Sequence, residues 1–239
     1  MESIATLGTI TGLALTSGLR LYSTILVVGL GMRFGWFTPP AALGQLEVFA
    51  STPVLIIAGV LYVVEFLADK VPWIDTVWDS VHTVIRPLGA GVVAATALGD
   101  VDPAMKTGAF LLSGAVALSS HSAKAGTRIA ANHSPEPFSN LGLSLAEDAL
   151  SIGGVWLAFT HPVAMLIVVV IVVALILWLV PKLIRLLVAQ ARRVRDALTG
   201  NRPRIAALRD AALDRGLDQS GKRVDLVDGR VDVGGDANS

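Results

Sequence analysis

The sequence contains no cysteine, which excludes disulfides, iron–sulfur ligation and thiol catalysis. Charged residues are also scarce: they make up 16% of the 239 residues, whereas soluble domains carry roughly a quarter. Basic and acidic residues number 19 each, and a net charge of zero gives no global basis for binding nucleic acid. The first residues lack the positive stretch of a cleaved signal peptide, so we expect the first apolar segment to be kept as a helix.

Apolar residues dominate what is present: 53% of the chain is hydrophobic and the mean hydropathy is +0.66. A membrane-spanning helix needs about 20 mostly apolar residues, and one uninterrupted run of this kind covers residues 162–180. Five further segments are apolar but interrupted by charge: 4–32, 48–67, 81–98, 107–129 and 141–159. The sequence therefore predicts an all-α, polytopic membrane helix bundle of about six transmembrane helices within residues 1–181.

Basic residues follow the last apolar segment at Lys182, Arg185, Arg192, Arg193 and Arg195. Because positive residues beside a span favour the cytoplasmic side, we expect the C-terminus there. An even number of spans would put the N-terminus on the same side.

Residues 182–239 form a second region, which we expect to be a basic cytoplasmic helix followed by a largely flexible tail. Residues 204–217 fit a short amphipathic helix. Alternation around Asp228-Gly229 is typical of a β-hairpin, although a lone hairpin is marginally stable in water.

Two halves of the bundle share a weak similarity. Residues 14–24 align without a gap on residues 117–127, and an acid follows an apolar segment in each half, at Glu65 and at Glu147. One interpretation is a pair of inverted three-helix repeats, 4–100 and 105–181, as found in secondary transporters. The alternative is chance, because small residues are common in membrane helices.

Charged residues inside the apolar segments follow helical spacing. Burying one at the bilayer centre costs at least ~2.5 kcal/mol, so we expect these side chains to face inward and to pair. The third segment and its lead-in are mostly acidic and the fourth is basic. The predicted substrate- or ion-binding residues are Arg20, Glu65, Asp69, Asp75, Asp79, His82, Arg86, His121, Lys124, Arg128, Glu147 and Asp148.

Headgroup-level positions are the favoured alternative for Lys70, Arg128 and Glu136, which lie near predicted loops. No cofactor is predicted. No metal site is predicted either, because His121 and His133 do not share a ligand spacing on one helical turn.

Several segments resemble those of a bacterial membrane family known only as a domain of unknown function, family 4126. They are Thr16-Ser-Gly-Leu-Arg-Leu-Tyr22, residues 69–91, residues 121–140 and Glu147-Asp-Ala-Leu-Ser-Ile-Gly-Gly154. The resemblance covers roughly residues 4–180 and leaves the C-terminal tail outside. It implies a multi-pass protein of the bacterial inner membrane, but no activity and no functional residues.

The leading functional hypothesis is a small transporter or permease. Arg20, Lys124 and Arg128 would attract an anionic group, and acids such as Glu65 and Glu147 would serve a coupling proton or cation. The expected partners are the lipid bilayer and a small molecule, ion or lipid substrate, and a second copy of the chain is a further candidate.

Two other hypotheses stay open. One is a membrane scaffold or assembly factor. The other is a lipid-phosphate-processing enzyme, since Ser119-Ser-His-Ser122 resembles the Ser-Xaa-His element of phosphatidate-phosphatase-like enzymes. That enzyme pattern is incomplete: the gap between Arg128 and His133 is one residue short, and a lysine-rich motif upstream is missing.

Overall fold

The computed structural model describes residues 2–132, 137–198, 224–227 and 230–233. The chain divides into a larger unit, Met1–Pro181, and a smaller one, Lys182–Ser239. A 3-10 helix covers Ala41–Ala50. The predicted all-α class is confirmed for the described residues of the larger unit. The α-helices are α1 (Glu2–Leu19), α2 (Leu21–Phe34), α3 (Thr52–Ala68), α4 (Pro72–Ala97), α5 (Pro103–Asn132), α6 (Pro137–Thr160) and α7 (Pro162–Leu198).

Proline and glycine mark the helix ends. Four helices begin at a proline, whose fixed φ and missing N–H suit a first turn. Helix α2 ends at Gly35, whose φ of 67° is left-handed and lets its N–H reach the carbonyls of Gly31 and Met32. Pro87 lies inside α4 without ending it.

Helix α1 runs antiparallel to α6. The Thr9 hydroxyl donates to the carbonyl of Ala158 at 2.9 Å, near the end of α6. Further along α1, Thr16 faces Gly154, and Arg20 then reaches Asp148. Rising numbers along α1 therefore match falling numbers along α6.

Helix α2 runs in the opposite direction to α1. Thr24 Oγ1 lies 3.3 Å from Ser151 Oγ, whereas Phe37, just beyond α2, stacks on Phe159 with ring centroids 4.2 Å apart. The end of α2 also meets the start of α3, where Arg33 donates to the Thr52 hydroxyl at 3.1 Å. Helices α1 and α2 thus form a hairpin, which we call the α1–α2 hairpin.

The tip of the α1–α2 hairpin is Arg20, whose φ of −148° and ψ of 91° are extended. Its side chain is fully buried among carboxylates that belong to other helices. These contacts hold one extended residue inside an otherwise apolar run. The prediction of one span over residues 4–32 is therefore wrong, because apolar composition does not report where a helix reverses.

The two segments aligned as a repeat have different structures. Residues 14–24 contain the reversal at Arg20, whereas residues 117–127 lie within the continuous helix α5. The segments nevertheless cross each other closely, with Gly18 against Ala117 and Ser120. A small residue at such a crossing is typical of packed membrane helices.

The interior of the larger unit is polar at one end and apolar at the other. An apolar cluster that includes Ile10, Val28 and Phe159 packs the middle of α1 and of α2 against the end of α6. The outer faces carry large hydrophobic side chains, for example Ile56, which is 60% exposed, and Leu177, which is 65% exposed. Charge inside with hydrocarbon outside is the arrangement expected of helices in lipid.

Two described helical segments, Leu141–Thr160 and Pro162–Leu179, are long and apolar enough to cross a membrane. A third candidate is the pair Ala41–Ala50 and Thr52–Ala68, which is bent by 72°. The apolar helices are consistent with membrane association.

In the smaller unit, β1 (Val224–Val227) pairs antiparallel with β2 (Arg230–Val233), and Val224 lies opposite Val233. This is the hairpin alternative that the alternating pattern indicated. The expected amphipathic helix over residues 204–217 lies outside the described residues, as does Glu136.

Candidate functional site

The twelve residues selected from the sequence meet at one end of the bundle, and none of them is more than 8% exposed. They come from the tip of the α1–α2 hairpin, the end of α3, the first half of α4, the second half of α5 and the middle of α6. Ion pairs and hydrogen bonds connect eleven of them. We call these eleven the charge network: Arg20, Glu65, Asp69, Asp75, Asp79, Arg86, His121, Lys124, Arg128, Glu147 and Asp148.

Arg20 joins the hairpin tip to two other parts of the bundle. Its Nη2 lies 2.6 Å from Asp69 Oδ2, in the connection between α3 and α4. Its Nε lies 3.0 Å from Asp148 Oδ1, and Nη2 also donates to the carbonyl of Ser144 at 3.3 Å. One guanidinium therefore connects the reversal of the chain to α6 and to the α3–α4 connection.

Arg128 makes a two-pronged contact with Glu147. Its Nε and Nη2 donate to the two carboxylate oxygens at 3.0 and 2.9 Å, the fork geometry that favours arginine over lysine. Nη2 also donates to Asp69 Oδ2 at 3.2 Å and to Ser144 Oγ at 3.0 Å. The part of the headgroup-level alternative that would expose Arg128 to solvent is therefore wrong: these partners hold the side chain 2% exposed.

Arg86 organises the part of the network formed by α3, α4 and α5. Its Nη2 lies 2.6 Å from Glu65 Oε1, and its Nη1 lies 3.2 Å from Asp79 Oδ1 and 2.6 Å from His121 Nδ1. Because a guanidinium can only donate, His121 Nδ1 accepts and the ring proton sits on Nε2. That Nε2 donates to the Thr83 hydroxyl at 3.1 Å. His121 is thus assigned as a neutral imidazole of one tautomer.

Lys124 lies between the carboxylates that contact Arg86 and those that contact Arg20 and Arg128. Its Nζ is 3.2 Å from Glu147 Oε2 and 3.9 Å from both Glu65 Oε1 and Asp79 Oδ1. It also donates to the carbonyl of Leu19 at 3.3 Å. Leu19 ends α1, where carbonyls have no partner within the helix. Lys124 therefore supplies a hydrogen-bond donor to the Leu19 carbonyl beside the reversal at Arg20.

Charges in the network do not balance. Six carboxylates face four cations, and the neutral tautomer of His121 adds none. Several buried atoms, including Arg20 Nη1, Glu65 Oε2, Asp69 Oδ1 and Asp75 Oδ1, have no hydrogen-bond partner among the described residues. Leaving buried charged groups incompletely paired is costly, so each such group calls for an explanation such as a bound ion or a functional role.

A small pocket reaches the network beside α4 and α5. Its volume is about 110 Å³, and its charged lining is Asp75, Asp79 and Arg128. The remaining lining consists of Thr76, Ser80, Thr83 and Ala125. A pocket of this volume has room for several water molecules.

Two neighbouring aspartates differ in their titration. Both lie before the apolar part of α4. Burial opposes ionisation of Asp69, but Lys124, Arg20 and Arg128 outweigh it and hold its pKa below the ordinary value. At Asp75 burial wins over the attraction of Arg128 and, with help from Asp79 and Asp69, raises the pKa to about 6.

His82 lies beside the network. Its Nε2 is 3.1 Å from the hydroxyl of Tyr22, and its Nδ1 is 2.8 Å from the carbonyl of Trp78, whose ring stacks on the imidazole. Sequence reasoning missed Tyr22 and Thr83, since neither is charged and neither breaks an apolar pattern. The helical spacing of Thr83 from Asp79 was the available signal.

The described residues include part of the lipid-phosphate enzyme pattern, and histidines and acids that could hold a metal ion. Ser119 and Ser122 donate to carbonyls of their own helix at 2.9 and 2.7 Å, and Arg86 lies 2.6 Å from His121. His133, the second histidine of that pattern, lies outside the described residues. Among the described residues, no group of three or more His, Cys, Asp or Glu side chains is placed to hold a metal ion.

The family model described as "Domain of unknown function (DUF4126)" matches residues 7–182. That range takes in the whole charge network. Searches of curated proteins and of solved structures found no match. The resemblance seen in the sequence is confirmed, and the chain belongs to the DUF4126 family.

Proposed function

We propose that the protein is a small multi-pass membrane permease, and that its substrate or coupling ion passes through the charge network. The observation that carries this proposal is the imbalance of charge inside the bundle. Six buried carboxylates share four cations, and a pocket leads to them. Ionisable residues buried within membrane helices are expensive and typically mark ion or substrate pathways.

The α1–α2 hairpin supports a second part of the proposal, which concerns topology. Both ends of the hairpin lie on the same side of the bundle as the α4–α5 connection. Glu2 and Ser3 line one pocket together with Val101, and the 3-10 helix after α2 places Gln45 against Gly99. Only α3 to α7 would then cross the bilayer. The bacterial inner membrane is the proposed location, with the basic end of α7 in the cytoplasm and the N-terminus on the opposite side. This revises the expectation that both termini share one side.

A helical hairpin that ends in a charged, extended residue also fits transport. Irregular backbone at membrane depth is tolerated where it is buried in protein or lines a polar cavity. At Arg20 the reversal is covered by Asp69, Asp148 and Lys124. Broken helices of this kind surround the sites of known secondary transporters.

Flux through purified protein in liposomes tests the proposal. The probes are sodium, potassium, chloride and inorganic phosphate, with a pH-sensitive dye inside the vesicles for protons. We expect protein-dependent flux of at least one probe, lost in Glu65→Gln and Glu147→Gln while both variants elute as the wild type does. Glu47→Gln is the matched control, because Glu47 is exposed in the 3-10 helix.

Two results would contradict the proposal. One is wild-type vesicles that pass none of the probes faster than empty vesicles do. The other is a flux that both network variants leave unchanged.

A further inference from the structure

We propose that the pocket at the start of α4 is a proton site, in which Asp75 takes up and releases the proton and shares it with Asp69. As the coupling site of a permease it rests on the proposed function. Proton exchange at Asp75 does not, since it follows from the local geometry alone.

Asp75 has the weakest ion pairing of the six network carboxylates. Its Oδ1 is 3.6 Å from Arg128 Nη1, beyond hydrogen-bond distance, and accepts no hydrogen bond from any described residue. Each of the other five carboxylates has a cation within 3.2 Å. Asp75 is only 1% exposed, so little solvent compensates for the missing partner.

Asp69 is the neighbouring carboxyl group with which Asp75 can share a proton. The carboxyl groups of Asp69 and Asp75 lie close enough to influence each other's ionisation, and Oδ1 of each lacks a hydrogen-bond partner among the described residues. Two ionised carboxylates in contact repel, whereas one proton between them forms a hydrogen bond. Asp69 is held ionised by Arg20 and Arg128, which leaves Asp75 as the member that carries the proton.

The charged groups around Asp75 are consistent with this assignment. Arg128 and Lys124 face it from α5, Asp79 from its own helix and Asp69 from the α3–α4 connection. Glu147 on α6 competes for Arg128 through the two-pronged contact. Burial, with help from Asp79 and Asp69, outweighs the attraction of Arg128 and Lys124 and raises the pKa of Asp75 to about 6, so the proton exchanges at pH values that cells experience.

The same pocket suits a proton better than a metal ion. Arg128 forms part of the wall, and a bound cation would lie beside that guanidinium and be repelled by it. A proton needs no such space, because it sits on the carboxyl oxygen and removes one of the two excess negative charges. The volume of about 110 Å³ is enough for a few water molecules to bring the proton in.

Protonation of Asp75 would affect the rest of the charge network through Arg128. A neutral Asp75 no longer attracts Arg128, whose other contacts are Glu147, Asp69 and Ser144. Those contacts continue to Arg20 at the hairpin tip. Uptake and release of the proton would therefore change the strength of the ion pairs that Arg20 makes at the tip of the α1–α2 hairpin.

Infrared difference spectroscopy of the full chain in detergent tests the site directly. Between about pH 5 and about pH 8, where ordinary aspartates stay ionised, we expect a protonated-carboxyl band that disappears with a midpoint near pH 6. Asp75→Asn should remove this band and Asp75→Glu should keep one with a shifted midpoint. Asp100→Asn, which alters an exposed aspartate outside the network, should change nothing.

Three outcomes would overturn the inference. The wild type, which needs no variant to fold, could show no protonated carboxyl in this range. The band could persist in a correctly folded Asp75→Asn variant. Sodium chloride, compared with choline chloride, could produce a change that Asp75→Asn abolishes while no carboxyl band appears, which would mark a sodium site instead. Because none of these measurements involves flux, a missing band would leave the permease proposal standing, and absent flux would leave the proton site standing.

Discussion

Arg20 Nη2 lies 2.6 Å from Asp69 Oδ2, and this ion pair joins the tip of the α1–α2 hairpin to the connection between α3 and α4. Both side chains are fully removed from solvent. Arg128 approaches the same oxygen at 3.2 Å, so one carboxylate oxygen serves two guanidinium groups. Asp69 is therefore the anion on which the hairpin and α5 both depend.

Neutralising Asp69 should destabilise the protein far more than neutralising Asp75. Asp69→Asn leaves Arg20 and Arg128 short of a buried partner, and removing one member of a buried pair costs about 3–5 kcal/mol. Asp75→Asn should cost little, because its carboxyl is already poorly paired. Thermal unfolding in detergent, with Asp100→Asn as control, measures both. Equal losses for the two variants would show that Asp69 has no special role.

The gap between Asp75→Asn and the wild type should depend on pH. A carboxyl whose folded pKa is raised holds a proton that the unfolded chain has released, so the wild type loses stability as pH rises from about 4 to about 6. Asparagine mimics the neutral acid and avoids that loss. The variant should therefore gain on the wild type across this window, and a melting-temperature difference that is flat with pH would contradict the assignment.

Replacing Arg128 by lysine should also destabilise the bundle, although the charge is kept. Lysine cannot reproduce the two-pronged contact with Glu147 or reach Asp69 and Ser144 together. Each lost hydrogen bond to a charged group costs about 1.5–3 kcal/mol. Arg33→Lys at the exposed end of α2 is the matched control. A wild-type melting temperature for Arg128→Lys would mean that charge alone, and not the fork, is required.

Gly18 should not tolerate a side chain. A Cβ at this position would overlap Ser120 Oγ and the backbone of Ala117, forcing α1 away from α5. Gly126→Ala in α5 is the control, since nothing lies within 4 Å of its added Cβ and alanine favours the helix by about 1 kcal/mol. We expect Gly18→Ala to lower the melting temperature and Gly126→Ala to leave it unchanged or raise it. The reverse order would refute the close crossing.

Introduced cysteines can decide the topology, because the chain has none of its own. In intact cells or sealed vesicles, a membrane-impermeant maleimide should label Ser3→Cys and Asp100→Cys from the same side, and Lys70→Cys from the other. Six crossings without the hairpin would instead place Ser3 with Lys70. The pattern of the three labels thus separates the two arrangements without any assay of function.

The sequence was informative about which residues are buried and much less so about chain direction. Charges within apolar segments are expensive unless paired, so helical spacing and sign were sufficient to select Arg86, Lys124 and their partners. The reversal at Arg20 could not be read from composition, because both arms of the hairpin are apolar and its cause is contact with Asp69 and Asp148, distant in sequence.

Interatomic distances in the structure distinguish residues that their spacing in the sequence could not. Helical spacing selected both Asp75 and Asp79 but could not tell that Asp79 lies 3.2 Å from Arg86 while Asp75 is 3.6 Å from Arg128. Arg128 lies near a predicted loop, which favoured an exposed side chain, and only the positions of Glu147 and Asp69 explain its burial.

Ion flux into liposomes that contain Glu147→Gln, compared with wild type and with Glu47→Gln, tests most directly whether the charge network is a transport path. Glu147 contacts Lys124 at 3.2 Å and Arg128 at 2.9 Å, whereas Glu47 is exposed and outside the network. The account predicts that wild type and Glu47→Gln carry the same flux and that Glu147→Gln, correctly folded, carries none. Equal flux in all three proteins would contradict it.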